Sequence, residues 1–354
     1  MKNVLTIVGA RPQFIKAAMI SREMRASKYL REIIVHTGQH YDANMSEVFF
    51  QELGIPQPDF NLGISGGMHG DMTGKMMCAL EPLVTRVQPD MLLVYGDTNS
   101  TLAAALVAVK LHIPVAHVEG GLRNHDLSIP EEVNRVVTDR VSSIVFYPTD
   151  KALENLQAEG FEGFSCRLVR TGDLMHDAAI CFRPPPSQSE EAYTLLTLHR
   201  ASNTEPERLP EIVSALNDIA TERKLIFPVH PRTRGALCTQ GLTLHPNIEQ
   251  LDPVGYSEML RLLEGCEKVI TDSGGLQKEA YAYGKTGLVL MEHTPWEELV
   301  DEQYLCTTTL KREAILENWR KVHKLEPSGR PLYGDGNSAG IVVQALETFL
   351  SPSL

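Results

Sequence analysis

Apolar residues come along this chain in short, nearly continuous runs, separated by stretches in which they recur at helical spacing. In the first half the runs Val4–Val8, Ile33–His36, Met91–Tyr95, Val115–Val118, Ser143–Tyr147 and Arg167–Val169 read as strands. Lys16–Arg25, Thr73–Val87 and Thr101–Leu111 between them read as amphipathic helices. Strands that lack polar alternation are buried on both faces, so the pattern predicts a parallel sheet with helices on each side. Arg183-Pro-Pro-Pro-Ser-Gln-Ser189 interrupts it with proline and small polar residues, the composition of a linker. A second alternation follows, with strands Thr194–Thr197, Leu225–Pro228, Ile248–Leu251, Val269–Thr271 and Leu288–Leu290. Its helices fall near Leu209–Thr221, Ser257–Leu263, Leu276–Tyr283 and Arg312–Val322. The expected fold is α/β, two doubly wound Rossmann-like domains facing a central cleft: residues 1–182, residues 183–336, and a closing helix within 337–354 after the turn Tyr333-Gly-Asp-Gly336.

A chain of 354 residues is long enough for two such domains, each with its own core, and 43% hydrophobic with 22% charged residues is the make-up of a soluble globular protein. The net charge of −12 argues against nucleic acid or an anionic membrane as the main partner. Six scattered cysteines form no Cys-x-x-Cys pair and no zinc-type Cys/His spacing, so no metal site is expected and a reduced, cytoplasmic setting is. The opening strand is too short an apolar run for a signal peptide, and Leu102–Val109, the longest apolar stretch, is far short of a membrane span.

Candidate chemistry gathers at predicted strand ends. Ser273-Gly274-Gly275 lies on a strand-to-helix turn, where unpaired backbone N–H groups and glycine let an anion approach the main chain. A helix end contributes only about 0.3–1 kcal/mol to holding charge, so a diphosphate needs further cationic partners. His199-Arg200 and His230, with Arg232 and Arg234 close behind it, follow two neighbouring strands and supply them; Arg11 and Lys16 follow the first strand. The first half offers carboxylates: Asp97 after the third strand, Glu119 after the fourth, and Glu131 at the start of the next helix. Glu131 could instead form an ordinary i, i+4 pair with Arg135, and Asp97 could simply cap a helix. With no Gly-x-Gly-x-x-Gly after the first strand and no Gly-Lys-Ser/Thr loop, nicotinamide and ATP chemistry have no foothold, and no dissociable cofactor is expected. The residues point to a nucleotide sugar held by its diphosphate, with acids able to move a proton on carbon.

The segments Gly9-Ala-Arg-Pro-Gln-Phe-Ile-Lys16, His36-Thr-Gly-Gln-His-Tyr-Asp42, Gly96-Asp-Thr98, His117-Val-Glu-Gly-Gly-Leu-Arg123, Pro130-Glu-Glu-Val-Asn-Arg135, Leu198-His-Arg200 and Thr271-Asp-Ser-Gly-Gly-Leu-Gln277 resemble, in order and over nearly the whole chain, the motifs of the non-hydrolysing UDP-N-acetylglucosamine 2-epimerase family. The resemblance implies a GT-B-like architecture with the final helix returning to the first domain, a homodimer, and a UDP-activated 2-acetamido sugar as substrate. It implies that a base takes the C2 proton while UDP leaves C1, and that UDP and a proton are re-added to the 2-acetamidoglucal with C2 inverted. On that basis Asp97, Glu119, Glu131 and His199 are the expected catalytic residues. Arg11, Lys16, Arg135, Arg200, His230, Ser273, Gly274, Gly275 and Glu279 are the expected substrate-binding ones, Glu279 at the ribose. Gly9–Lys16, Tyr41–Ser46 and Gly66–Gly74 look most like the branch acting on UDP-2,3-diacetamido-2,3-dideoxy-glucuronate, in O-antigen synthesis, with His69, His125, Arg123 and Arg232 as candidate cations for the extra carboxylate. Alternatives are the UDP-N-acetylglucosamine/UDP-N-acetylmannosamine epimerase and, in another class, a GT-B glycosyltransferase. The chain departs from the family pattern at Gly120, Ser202 and Leu290-Met-Glu-His-Thr-Pro295, and Gln39-His-Tyr-Asp42 argues against activation by a second UDP-N-acetylglucosamine.

Overall fold

The computed structural model describes residues 1–39, 54, 56–186 and 191–351, with Arg11 described by its backbone alone. It contains two compact units, Met1–Ala178 together with Leu332–Leu354, and Ala179–Pro331.

The first unit runs β1 (Lys2–Val8), α1 (Arg11–Ala26), β2 (Leu30–His36), β3 (Phe60–Asn61), α2 (His69–Val87), β4 (Met91–Tyr95), α3 (Asn99–Lys110), β5 (Val115–Val118), α4 (Pro130–Val141), β6 (Ile144–Tyr147), α5 (Asp150–Ala158), β7 (Arg167–Arg170) and α6 (Leu174–Cys181), within which the division between units falls. The second runs β8 (Tyr193–Thr197), α7 (Leu209–Ala220), β9 (Lys224–Pro228), α8 (Pro231–Thr239), β10 (Ile248–Leu251), α9 (Tyr256–Gly265), β11 (Lys268–Thr271), α10 (Gly274–Ala282), β12 (Thr286–Val289), α11 (Glu297–Asp301), β13 (Leu305–Thr307) and α12 (Arg312–Val322). The last helix, α13 (Ser338–Leu350), belongs to the first unit.

Both sheets are parallel throughout, ordered β3-β2-β1-β4-β5-β6-β7 and β10-β9-β8-β11-β12-β13. The chain therefore reverses its direction of travel across each sheet at one place, between β1 and β4 and again between β8 and β11. At such switch points the loops leave in opposite directions and open a crevice at the carboxyl ends of the strands. The strands are strands because they are apolar on both faces: β4 is buried at all five positions, as is β8. In the first unit Leu5, Ile7, Leu92 and Val94 pack under Met76, Leu80, Ala104 and Val107. In the second, Leu196, Phe227, Ile270 and Leu288 pack under Ile212, Leu216, Ile315 and Trp319. Helix α13 is tied to its own unit at both ends. Asp177 accepts from Ser338 Oγ at 2.8 Å and from the Ala339 N–H at 3.1 Å, while Glu347 accepts from Ser27 Oγ at 2.5 Å.

Helix α1 starts at Arg11, not at Lys16. Pro12 sits in its first turn, where a missing N–H costs nothing, and Gln13 satisfies the main chain just ahead of it. The two- and three-residue strands β3 and β13 carry no readable periodicity. Among the described residues no helix is long and apolar enough to cross a membrane.

Candidate active site

Every candidate turn leaves a strand at or beside a switch point. In the first unit Gly9-Ala10-Arg11 follows β1, Gly96-Asp97 follows β4 and Glu119 follows β5. The β1 and β4 turns are joined by the amide of Gln13, 2% exposed. Its oxygen accepts from Gly9 N–H at 2.8 Å and Ala10 N–H at 3.0 Å, and its nitrogen donates to the Tyr95 carbonyl at 2.8 Å, Thr98 Oγ1 at 2.9 Å and Thr101 Oγ1 at 3.0 Å. Gly96 has φ of 59° and Glu119 of 67°, both in the left-handed region. For glycine that is free; for glutamate it is strained by about 1–2 kcal/mol, a cost tolerated where a side chain must be aimed.

Glu119 forms an ion pair with Lys16, the two side chains 12% and 8% exposed. A Cβ on Gly96 would lie 3.5 Å from Glu119 Oε2 and 3.7 Å from Lys16 Nζ, so this pair borders the turn that carries Asp97. Asp97 is ion-paired with Arg135, which also donates to Glu132 at 2.5 Å. Asn134, also from α4, donates to the Asp97 carbonyl at 2.9 Å. Beneath these groups His117 is fully buried, with Nδ1 2.6 Å from Asp139 Oδ1 and Nε2 2.7 Å from the Gly96 carbonyl oxygen. Asp139 also accepts from Gly121 N–H and Arg123. Burial would lift its carboxyl, but the facing His117 and Arg123 outweigh burial and hold it below the ordinary carboxylate range.

In the second unit Ser273 caps α10 by accepting from Leu276 N–H at 3.4 Å, and Gly274 and Gly275 fall in the first turn, where N–H groups have no intrahelical partner. Neither glycine has a positive φ. A Cβ on Gly274 would come no nearer than 3.6 Å to another residue, and one on Gly275 no nearer than 3.9 Å. Among the described residues the packing thus accepts alanine at both positions. Asp272, fully buried, sits behind it. It accepts from the backbone N–H of His199 at 2.9 Å and of Arg200 at 2.8 Å, from Asn203 at 3.2 Å, and faces His199 Nδ1 at 3.0 Å. Burial pushes the Asp272 carboxyl up, but these hydrogen bonds, the His199 ring foremost, more than reverse it and hold it below its ordinary value. With Nδ1 turned to Asp272, Nε2 is the His199 nitrogen left for a ligand. Arg200 Nε donates to the Asp272 carbonyl at 2.8 Å, and the His230 ring lies 5.9 Å from that of His199.

The candidates fare differently. Lys16 with Glu119 and Arg135 with Asp97 are brought together, whereas Glu131 stands exposed in the first turn of α4 and Arg135 bonds the neighbouring Glu132 rather than Glu131. Glu279 is 5% exposed on α10, one turn beyond Gly275 and so on the same face. Arg123 is not an available cation for a substrate carboxylate. Its side chain is 1% exposed and is taken up by Asp139 at 2.8 Å and by Glu159 at 2.6 and 2.8 Å. Arg232 donates to the His199 carbonyl at 2.8 Å, and His69 faces Asn99 at 3.2 Å. The side chain of Arg11 and residues 40–46 lie outside the described residues. Gln13, His117, Asp139 and Asp272 hold the main chain of the candidate turns and were not among the expected site residues; each acts on main chain far away in sequence, which no local spacing reveals.

The fold defines an α/β protein with two doubly wound, GT-B-like halves, one carrying acids paired with cations and the other a Ser-Gly-Gly helix turn. The model of the family UDP-N-acetylglucosamine 2-epimerase matches residues 22–347, and the chain belongs to that family. It is 47% identical, over 97% of its own length and 99% of the relative's, to the UDP-2,3-diacetamido-2,3-dideoxy-D-glucuronate 2-epimerase of Pseudomonas aeruginosa. Among solved structures it resembles the Methanocaldococcus jannaschii UDP-GlcNAc 2-epimerase in complex with UDP-GlcNAc and UDP. The TM-score is 0.89 at 36% identity, covering 98% of this chain and 100% of that one. It also resembles the Neisseria meningitidis UDP-GlcNAc 2-epimerase bound to UDP-GlcNAc, with a TM-score of 0.87 at 27% identity over 98% and 100% of the two chains. Its relatives carry the names of UDP-sugar 2-epimerases, which are isomerases.

Proposed function

We propose that the chain inverts C2 of a UDP-activated 2-acetamido sugar without hydrolysing it, and that the sugar is 2,3-diacetamido-2,3-dideoxy-glucuronate, converted to its mannuronate epimer for O-antigen or another surface polysaccharide. The enzyme works in the cytoplasm as a homodimer. The diphosphate is taken by Ser273, Gly274 and Gly275 with His199, Arg200, His230 and Arg11, and Glu279 holds the ribose. The acids Asp97, Glu119 and Glu131, with Lys16 and Arg135 beside them, serve the sugar. One acid removes the C2 proton as the C1–O bond to UDP breaks, leaving UDP and the C1–C2 unsaturated glycal of the sugar, with its C2 and C3 acetamido groups and carboxylate intact. Then UDP oxygen returns to C1 while a proton is delivered to the other face of C2. Each proton transfer handled by a positioned carboxylate contributes on the order of 10²–10⁴-fold in rate.

The observation that carries the chemistry is the pairing of two carboxylates from adjoining strand ends with two cations, Glu119 with Lys16 and Asp97 with Arg135. The observation that favours the uronic sugar is the 47% identity to the Pseudomonas aeruginosa protein of that name. Incubating the enzyme in deuterated water with the UDP-activated diacetamido uronic sugar, and separately with UDP-N-acetylglucosamine, tests both points by NMR. The expected result is a C2 epimer of the uronic sugar carrying deuterium at C2, with little turnover of the other substrate. Product with its original C2 hydrogen would defeat the elimination route, free sugar would indicate hydrolysis, and preference for UDP-N-acetylglucosamine would reassign the substrate.

A further inference from the structure

Trp296 follows directly on Leu290–Pro295, the segment where the chain departs from the family pattern, and it is 6% exposed. Its indole Nε1 donates to the carbonyl of Gly274 at 3.1 Å. That carbonyl opens α10 and already has a helical donor due to it four residues on, so the indole is a second donor and is not needed to satisfy a buried acceptor. Trp296 is itself held from two sides. Lys278 Nζ stands 4.0 Å from the ring centre, and the Trp296 backbone N–H donates to Thr294 Oγ1 at 3.3 Å. Thr294 in turn donates to Gln277 Oε1 at 2.6 Å, and Gln277 Nε2 reaches the Ser273 carbonyl at 3.3 Å.

These two carbonyls have a common feature. The carbonyl of Gly274 and the N–H of Gly275 belong to one peptide group, and the carbonyl of Ser273 and the N–H of Gly274 to the one before it. A donor placed on a carbonyl oxygen draws electron density from its amide and strengthens the N–H at the other end, by about 10–30% per bond. It also fixes the plane of the peptide, so that no reorganisation is needed when a charged ligand arrives. We propose that Trp296 is a positioning residue for the diphosphate: its indole N–H fixes and polarises the Gly274–Gly275 peptide so that Gly275 N–H meets a phosphate oxygen. The inference rests on the assignment of this turn to the diphosphate made above.

The test separates the N–H from the ring. Replacing Trp296 site-specifically by β-(3-benzothienyl)alanine, which keeps the bicyclic shape but has sulfur for N–H, and making Trp296→Phe alongside it, gives two variants to titrate calorimetrically with UDP and with uridine. In both, UDP affinity is expected to fall about twofold to fourfold, what a charge-assisted hydrogen bond loses when weakened by about 10–30%, with uridine affinity unchanged and KM rising more than kcat falls. In the benzothienyl variant the thermal midpoint stays that of the native protein, and the Gly275 amide proton of the ligand-free protein moves upfield. Native UDP affinity in the benzothienyl variant would overturn the inference, as would equal weakening towards UDP and uridine. A native protein that binds UDP no better than uridine would instead overturn the diphosphate assignment, and this inference with it.

Discussion

If Gly274 and Gly275 take the diphosphate as proposed, they separate binding from folding, because nothing among the described residues requires them to be glycine. Gly274→Ala and Gly275→Ala are expected to leave stability unchanged or raise it by a few tenths to about 1 kcal/mol, since alanine is the better helix former. UDP affinity should nevertheless fall about tenfold or more, checked by calorimetry beside thermal melts. The acids behave in the opposite way. Asp97→Asn and Glu119→Gln should each lower turnover by about 10²–10⁴-fold while UDP affinity stays within a few-fold. Glu119→Gln should in addition destabilise the first unit by about 1–3 kcal/mol, because the largely buried ion pair with Lys16 is replaced by a neutral contact. At this scale the sequence showed which residues stand at strand ends and little of how they are partnered. Arg135 could be placed four residues from Glu131, yet its partners are Glu132 and a carboxylate brought over from β4. Arg123 looked like a spare cation because Asp139 and Glu159 lie far along the chain. The left-handed backbone at Glu119 has no signal in side-chain identity at all.

Elements were legible where burial on both faces makes an unbroken apolar run, as in β4 and β5, whose expected and observed limits coincide. They were not legible where a strand is two or three residues long, as β3 and β13 are, since so few residues bury too little to leave a pattern. Helix α13 was readable as an element, but the group that caps it was not. Asp177 comes from α6, and burial pushes its carboxyl up to about 6 from an ordinary 3.8, against the hydrogen bonds of Ser338 and Ala339. A raised acid binds its proton in the folded state before the unfolded chain does. The free energy of unfolding should therefore fall as pH rises through roughly 4 to 6 and be level above that window. Urea titrations at about pH 4.5 and pH 7 would measure the difference, on the order of 1–2 kcal/mol, and Asp177→Asn should flatten it. A slope that persists in that variant would assign the titration to another group.

The molecule as a whole repeats one strand order twice, and both times the candidate residues leave the sheet beside its switch point. That recurrence was visible beforehand in two series of strand-end polar residues. Alternation alone does not convey that residues 332–354 belong with the first unit, which the family resemblance implied for the final helix; the second unit is spliced into the first between Ala178 and Leu332. Removing the chain after Pro331 should expose the surface that Ala339, Val342 and Leu346 cover, at a loss of roughly 4 kcal/mol or more. Hydrogen exchange would read the outcome: protection lost from β1, α1 and β2, and kept from β8 through α12. The same splice sets an order of events at the ribosome. The amino-terminal portion emerges before the inserted one but lacks its closing helix until residues 332–354 are made, whereas the inserted portion is complete at Pro331. The earliest-made part is the last to mature, and in the interval its uncovered apolar surface is what a chaperone would find.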